Sequence, residues 1–177
     1  MGDPKFVRYG EQIRPPVRDL EPLIWKGRDI ARELDKFDEV PEYYNGRRNL
    51  VLQHPALGDI PGTSQTMHVA FLHLKAGEHV PPHRHSYTTI IYVIRGRGHT
   101  IIDGKRLDWE PGDVYLIPAW ADHEFHPEED HLLVAVTDGP LFVYLRSLVV
   151  QEPGENAIRS AAAEEKQAAL PIPPRAG

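Results

Sequence analysis

The chain has 177 residues, no cysteine and a formal net charge of −6. That length suits one domain around a single core, and the missing cysteine excludes disulfides, thiolate ligands and a cysteine nucleophile. The acidic balance, with no basic stripe, argues against a nucleic-acid partner. No apolar run approaches the roughly 18 residues of a membrane span, and the opening MGDPKFVRYGEQ has no apolar signal core. No membrane association is expected, and a cytoplasmic location is.

Residues 1–46 read as an N-terminal arm with one short helix. Pro4, Pro15, Pro16 and Pro22 favour an extended path, and GRDIARELDKFD (27–38) places Ile30, Leu34 and Phe37 at helical spacing. After the Asn45-Gly46 turn signal, Arg48–Gln53 reads as a short strand. Residues 47–150 then form a run of strands expected at Thr66–Leu74, Tyr87–Ile94, His99–Ile102, Arg106–Trp109, Val114–Ile117, Leu132–Thr137 and Leu141–Leu148. Glycine- and proline-bearing turns separate them, with Asp103-Gly104 a two-residue hairpin signal. Strands spaced this evenly, with no helix between, predict an all-β sandwich or barrel. Residues 151–177 change character. The Ala/Glu-rich stretch Asn156–Leu170 has helical composition and precedes the tail PIPPRAG.

The stretch GEHVPPHRHSYTTIIYVIRG (77–96) carries His83 and His85 one residue apart. On an extended backbone both imidazoles point to one face, which is half of a first-row metal site. His123 lies in PGDVYLIPAWADHEFHP (111–127) and is expected to reach the pair from a facing wall of the barrel. His126, offset by three, turns away from that face. His68 and His73 fall mid-strand with opposite parity, so one of them is expected to line a pocket, as is Gln65. The Glu128–Asp130 run reads as a solvated loop.

These spacings resemble the two signature motifs of the cupin superfamily. The first is carried by Gly77, His83, His85, Thr89 and Gly96, the second by Gly112, Pro118, Trp120, His123 and Pro127. Thr89 stands where those motifs usually have glutamate, Trp120 where they have glycine, and Pro127 where they have asparagine. The resemblance implies a jelly-roll barrel with His83, His85 and His123 as metal ligands and Thr89 nearby. Among cupins, the His-Arg-His pair, the absent motif glutamate and the Pro-x-Trp-x-x-His pattern look most like the gentisate 1,2-dioxygenase group. RNLVLQHP (48–55) and DGPL (138–141) extend the likeness over roughly residues 47–146.

The resemblance implies Fe(II)- and O2-dependent ring cleavage of a hydroxylated aromatic acid such as gentisate or salicylate. Asp138 would lie near the site and relay a phenolic proton, although its place before Gly139-Pro140 also reads as turn chemistry. Trp120 would wall the pocket by stacking on a planar ligand, or pack in the core. Ile91 falls where the relatives carry a substrate-binding arginine, and it cannot bind a carboxylate. Two other readings follow: a β-diketone-cleaving dioxygenase, whose substrate chelates without an arginine, or a non-catalytic cupin that binds metal or a small acid as sensor, storage or scaffold protein. Three imidazoles also accept Zn, Ni, Mn or Cu. The ring-cleaving relatives carry two barrels per chain, so the resemblance implies a homodimer or higher homo-oligomer here.

Overall fold

The computed structural model describes residues 20–38, 48–58 and 62–152, together with the backbone of 158–160. Its strands are β1 (Arg48–Val51), β2 (His68–Leu74), β3 (Val80–His85), β4 (Thr89–Arg95), β5 (Gly98–Ile102) and β6 (Lys105–Trp109). They continue with β7 (Val114–Ile117), β8 (His123–Pro127), β9 (His131–Thr137), β10 (Val149–Gln151) and β11 (Ile158–Ser160). Among the described residues two α-helices accompany them, α1 (Gly27–Asp35) and α2 (Gly139–Tyr144), with short 3-10 turns at Lys36–Asp38 and Pro55–Leu57.

The strands form two sheets, ordered β1-β2-β9-β4-β7 and β11-β10-β3-β8-β5-β6, with antiparallel pairing throughout. The expectation was an all-β sandwich or barrel, and the described residues form a mostly-β two-sheet sandwich with short helices. Its core is apolar: Leu74, Val80, Ile91, Val93, Ile102, Trp109, Ile117, Phe125 and Leu133 are all buried within it. Alternation along β4 shows how the sequence builds it. Ile91 and Val93 face inward while Ile90, Tyr92 and Ile94 stay exposed, as a two-residue period requires. Asp103 and Gly104 both have positive φ (48° and 75°) in the β5–β6 hairpin, the twist that two-residue hairpins favour. Gly98 is needed for a different reason: a Cβ there would meet the Trp109 ring at 2.7 Å.

Several expected elements take other forms. The histidine pair does not lead into the strand at 87–94; it sits on its own strand, β3, and the chain turns at Ser86–Tyr87 before β4. β8 is also a strand that the pattern did not reveal. Leu141–Leu148 was expected as a strand, but Gly139–Tyr144 is helical, with Pro140 in the first turn. Proline is tolerated there because that N–H has no partner within the helix, and a short apolar run such as LFVYL does not by itself distinguish strand from helix. Helical composition was expected over Asn156–Leu170, yet the backbone of 158–160 pairs with β10 as a strand. The remainder of that stretch, the arm at 1–19 and the Asn45-Gly46 turn lie outside the described residues. Among the described residues, no helix is long and apolar enough to cross a membrane.

Candidate metal centre

β3 aims the histidines inward through a local irregularity. Val80 pairs with Phe125 and His83 with His123, so the register slips between them. Pro81 and Pro82 fill the interval, and neither has an N–H to give to a ladder. The extra residue resets the alternation, and Val80, His83 and His85 all become buried on one side of the strand. A regular strand would have sent Val80 and His83 to opposite faces.

His123 lies directly beside His83 on the adjacent strand of the same sheet, not on a facing wall as expected. The three rings come together, with centroids 4.1 Å apart for His83–His123, 4.8 Å for His85–His123 and 6.0 Å for His83–His85. They are tilted by 53–73° rather than stacked, and one ligand-capable atom from each lies within 4.8 Å of the others. All three are at most 7% exposed.

Each ring is held by the main chain. His83 Nδ1 lies 3.0 Å from Pro81 O, His85 Nδ1 2.8 Å from Tyr87 O, and His123 Nδ1 2.9 Å from Ala121 O. A carbonyl oxygen only accepts, so each Nδ1 carries a proton and donates it, which leaves Nε2 as the nitrogen able to offer a lone pair to a metal. This is the arrangement that outer partners impose on metal-bound imidazoles. Tyr87 stacks on His85 with centroids 3.7 Å apart and packs against Gly139, where an added Cβ would meet its ring at 3.6 Å. Three imidazoles brought together in this way fit a first-row transition metal.

The triad opens into a cavity of about 320 Å³. Thr89 and Ile91 line it from β4, in the opposite sheet, along with Thr137 of β9. Thr89 therefore faces the histidines across the barrel, because the chain bends at Ser86–Tyr87 and enters the other sheet. His68 also lines the cavity, and burial lowers its pKa. His73 lines it as well despite its opposite parity.

The remaining expected site residues lie elsewhere. Trp120 was expected on the pocket wall or in the core; it is 41% exposed, outside the cavity lining, at a positive φ of 66°, with the Arg84 guanidinium 4.7 Å from its ring centre. Gln65 is also absent from the lining, in the bend before β2. Asp138 does not line the cavity either: its Oδ1 accepts the Thr88 N–H at 2.8 Å, fixing the start of β4 against the start of α2.

Sequence reasoning overlooked Arg48, Tyr87 and Glu152, all of which line the cavity. Arg48 is 5% exposed and donates to both Glu78 carboxylate oxygens, at 2.6 and 2.9 Å. That hydrogen bond, ahead of Coulomb attraction, lowers the Glu78 pKa. The sequence signal for Arg48 was a charged residue opening a strand; for Glu152 there was none before the pairing of β10 with β3 was known.

Comparison with known proteins gives a consistent picture. Residues 70–143 match the family described as Cupin domain. The chain is 27% identical over 148 residues to 5-nitrosalicylic acid 1,2-dioxygenase of Bradyrhizobium sp, covering 80% of this chain and 72% of that one. It is 31% identical over 150 residues to 5-aminosalicylate 1,2-dioxygenase of Comamonas sp, covering 81% of this chain but 40% of the relative. Salicylate 1,2-dioxygenase from Pseudoaminobacter salicylatoxidans, solved as its adduct with gentisate, superposes with a TM-score of 0.63 at 22% identity. That match covers 72% of this chain and 35% of the solved one, so the chain spans well under half of these last two proteins. The barrel is a cupin domain related to the gentisate and salicylate 1,2-dioxygenase group, and it matches one barrel of those bicupin enzymes.

Proposed function

We propose that this chain is a non-haem Fe(II) dioxygenase that cleaves the ring of a hydroxylated aromatic acid, gentisate- or salicylate-like, with O2. The observation that carries the reading is the triad: three buried imidazoles, with one ligand-capable atom of each within 4.8 Å of the others, lining a mostly apolar cavity. His83, His85 and His123 would hold the metal at one side and leave its other positions open. Fe(II) bound there would supply a chelation point for adjacent carboxylate and hydroxyl oxygens and a route for electron density from ring to O2.

The chain's own share is positional. The three Nδ1–H···O=C bonds lock the tautomer and the ring planes, so little reorganisation accompanies binding. Ile91, Ile117 and Phe125 form apolar walls on which a planar ring can pack. Thr89 and Thr137 bring hydroxyls to the opposite wall, able to donate to or accept from substrate oxygens. Asp138 acts by fixing Thr88 and thereby the approach to Thr89.

One observation favours a second reading. Ile91 is fully buried in the lining, and the lining guanidinium, Arg48, is already engaged by Glu78. A substrate that chelates through two oxygens without needing an arginine, such as a β-diketone, suits that wall better than an extended acid. A non-catalytic role in binding metal or a small acid would use the same geometry without turnover.

Oxygen uptake separates these readings. Protein reconstituted anaerobically with Fe(II) is mixed with gentisate, salicylate, 1-hydroxy-2-naphthoate or acetylacetone, with His123→Ala as the blank. Uptake with an aromatic acid is the expected result; uptake with the diketone alone transfers the function to the second reading. Silence in iron-loaded protein overturns dioxygenase activity toward these substrates and leaves the binding role.

A homodimer is part of the proposal. Ile90, Tyr92 and Ile94 of β4 and Val114 and Leu116 of β7 are 39–65% exposed, and Ile90 lies beside Leu116 and Tyr92 beside Val114 in register. An apolar sheet face of this kind is where a second barrel would pack, and light scattering at micromolar concentration would give its mass.

A further inference from the structure

The inner face of the sheet opposite the triad is built in rows across β2, β9 and β4. His68 pairs with Thr137, and Thr137 with Thr89, so these three side chains stand abreast on one face. Two residues along each strand comes a row of Ala70, Ala135 and Ile91, and two further along a row of Leu72, Leu133 and Val93. The first row is polar, the second is small at two of its three positions, and the third packs in the core. All six residues of the first two rows line the cavity. The alanines leave the space, and the polar row brings hydrogen-bonding groups to it.

Within that row the groups differ in what they have left to offer. Thr137 Oγ1 already accepts the Gly139 N–H at 3.2 Å. His68 is half-buried, and burial alone lowers its pKa, with no hydrogen bond or charged neighbour among the described residues contributing. Its ring is therefore neutral near pH 7, with one N–H to donate and one nitrogen to accept. It also reaches further than either threonine. A polar ring taken partly out of water is favoured when a ligand completes its hydrogen bonds.

The geometry points to His68 as the residue that selects the ligand of this cavity, by hydrogen-bonding a polar substituent on the ring edge remote from the chelating oxygens. The inference deepens the function proposed above and rests on it, because binding at the triad decides which edge is remote. A cavity of about 320 Å³ is at the small end of ligand sites, about 300–1,000 Å³. That suits a single ring held between the triad and the facing sheet. His68 positions and selects; no proton transfer is assigned to it.

The test is ligand binding, measured without turnover. Salicylate has the carboxylate and the adjacent hydroxyl, and gentisate adds one hydroxyl across the ring. A third probe is the salicylate with a methyl group in place of that added hydroxyl. Full-length protein loaded with Zn(II), which is redox-inert, is titrated with each probe by calorimetry, comparing wild type, His68→Phe and His68→Gln at measured zinc content. Wild type is expected to bind gentisate about 5–10-fold more tightly than salicylate. His68→Phe should lose that preference, and His68→Gln, which keeps a donor and an acceptor, should retain part of it. Wild type should also prefer gentisate to the methyl probe, a comparison that stands even if a variant fails to fold. A preference unchanged in His68→Phe, or absent from wild type, would overturn the role of His68 and leave the aromatic-acid reading in place. Zinc-loaded wild type that binds none of the three probes would overturn both.

Discussion

One sheet and the loop leading into it carry two groups of three histidines, and among the described residues only one of the two brings its ligand atoms close enough together for a metal ion. On the inner face are His83, His85 and His123; on the outer face His79, His99 and His126 form a row, with His126 contributed by the same strand as His123. The outer rings lie nearly parallel, 7° apart for His79–His126 and 11° for His99–His126, at centroid separations of 6.1 and 4.8 Å. The inner rings are tilted by 53–73° at comparable separations. An imidazole lone pair lies in the ring plane, so stacked rings keep theirs in parallel planes that do not meet, whereas tilted rings can send them to one point. The environments differ as well. Main-chain carbonyls orient each inner ring, while Glu124 lies 3.4 Å from His126 Nε2 and Glu128 3.5 Å from His99 Nδ1. Ring orientation, not the number of histidines, makes the site.

The largest expected effect tests that statement directly. His123→Ala removes the ligand beside His83 and should lower Zn(II) or Fe(II) affinity by at least about 100-fold, more than loss of an outer partner costs. Competition against a chelator of known affinity measures it. A wild-type affinity retained in His123→Ala would show that the inner group does not bind metal.

How much of this contrast could be read from the sequence depends on the residue. The His-x-His spacing and the distance to His123 marked the inner group, because a two-residue period fixes a face wherever the backbone is extended. The same period failed across Pro81-Pro82, where the bulge resets it, and across Ser86–Tyr87, where the chain changes sheets. Thr89 was placed near the site by its motif position, and it lines the cavity from the opposite sheet. Trp120 was misplaced because a motif position carries no backbone conformation, and its positive φ turns the side chain out toward Arg84. Glu152 was invisible because its place in the cavity lining depends on a pairing between strands more than sixty residues apart.

A buried histidine outside both groups gives the next largest effect. His131 is fully buried, and neither ring nitrogen has a hydrogen-bond partner among the described residues. Burial first, then the nearby His73, push its pKa down to about 4. The unfolded chain takes up a proton near 6.5, the folded one only near 4, so the neutral ring favours the folded state fully above pH 6.5. That advantage is lost as pH falls from 6.5 toward 4, by an amount on the order of 3 kcal/mol. Melting curves of wild type and His131→Leu at pH 7.5 and 5 would show it: the wild type should lose more stability on acidification. Parallel losses in both proteins would assign the pH dependence to other groups.

The Arg48–Glu78 pair contributes less, because Glu78 is partly exposed, at 26% against 5% for Arg48. Glu78→Gln keeps the shape and removes the charge, leaving a buried guanidinium with a weaker partner. A loss of about 2 kcal/mol is expected, measured by denaturant unfolding at pH 7. The Glu78 pKa is lowered by the Arg48 hydrogen bond, so the contribution is present above the unfolded carboxyl value near 4.5 and disappears as pH falls through the folded one. Wild type and Glu78→Gln should therefore converge in stability at low pH.

The smallest effect completes the contrast between the two faces. His126→Ala removes the middle ring of the outer row and leaves the inner triad three residues away with all its carbonyl partners. His126 alternates with His123 along β8, so the two side chains share a backbone and no surface. Metal affinity should stay within about 2-fold of wild type, and the double variant His123→Ala/His126→Ala should match His123→Ala alone, as distant sites combine additively. A larger loss in His126→Ala would mean that the outer row helps set the position of β8, and that the orientation of His123 is fixed from both faces of the sheet.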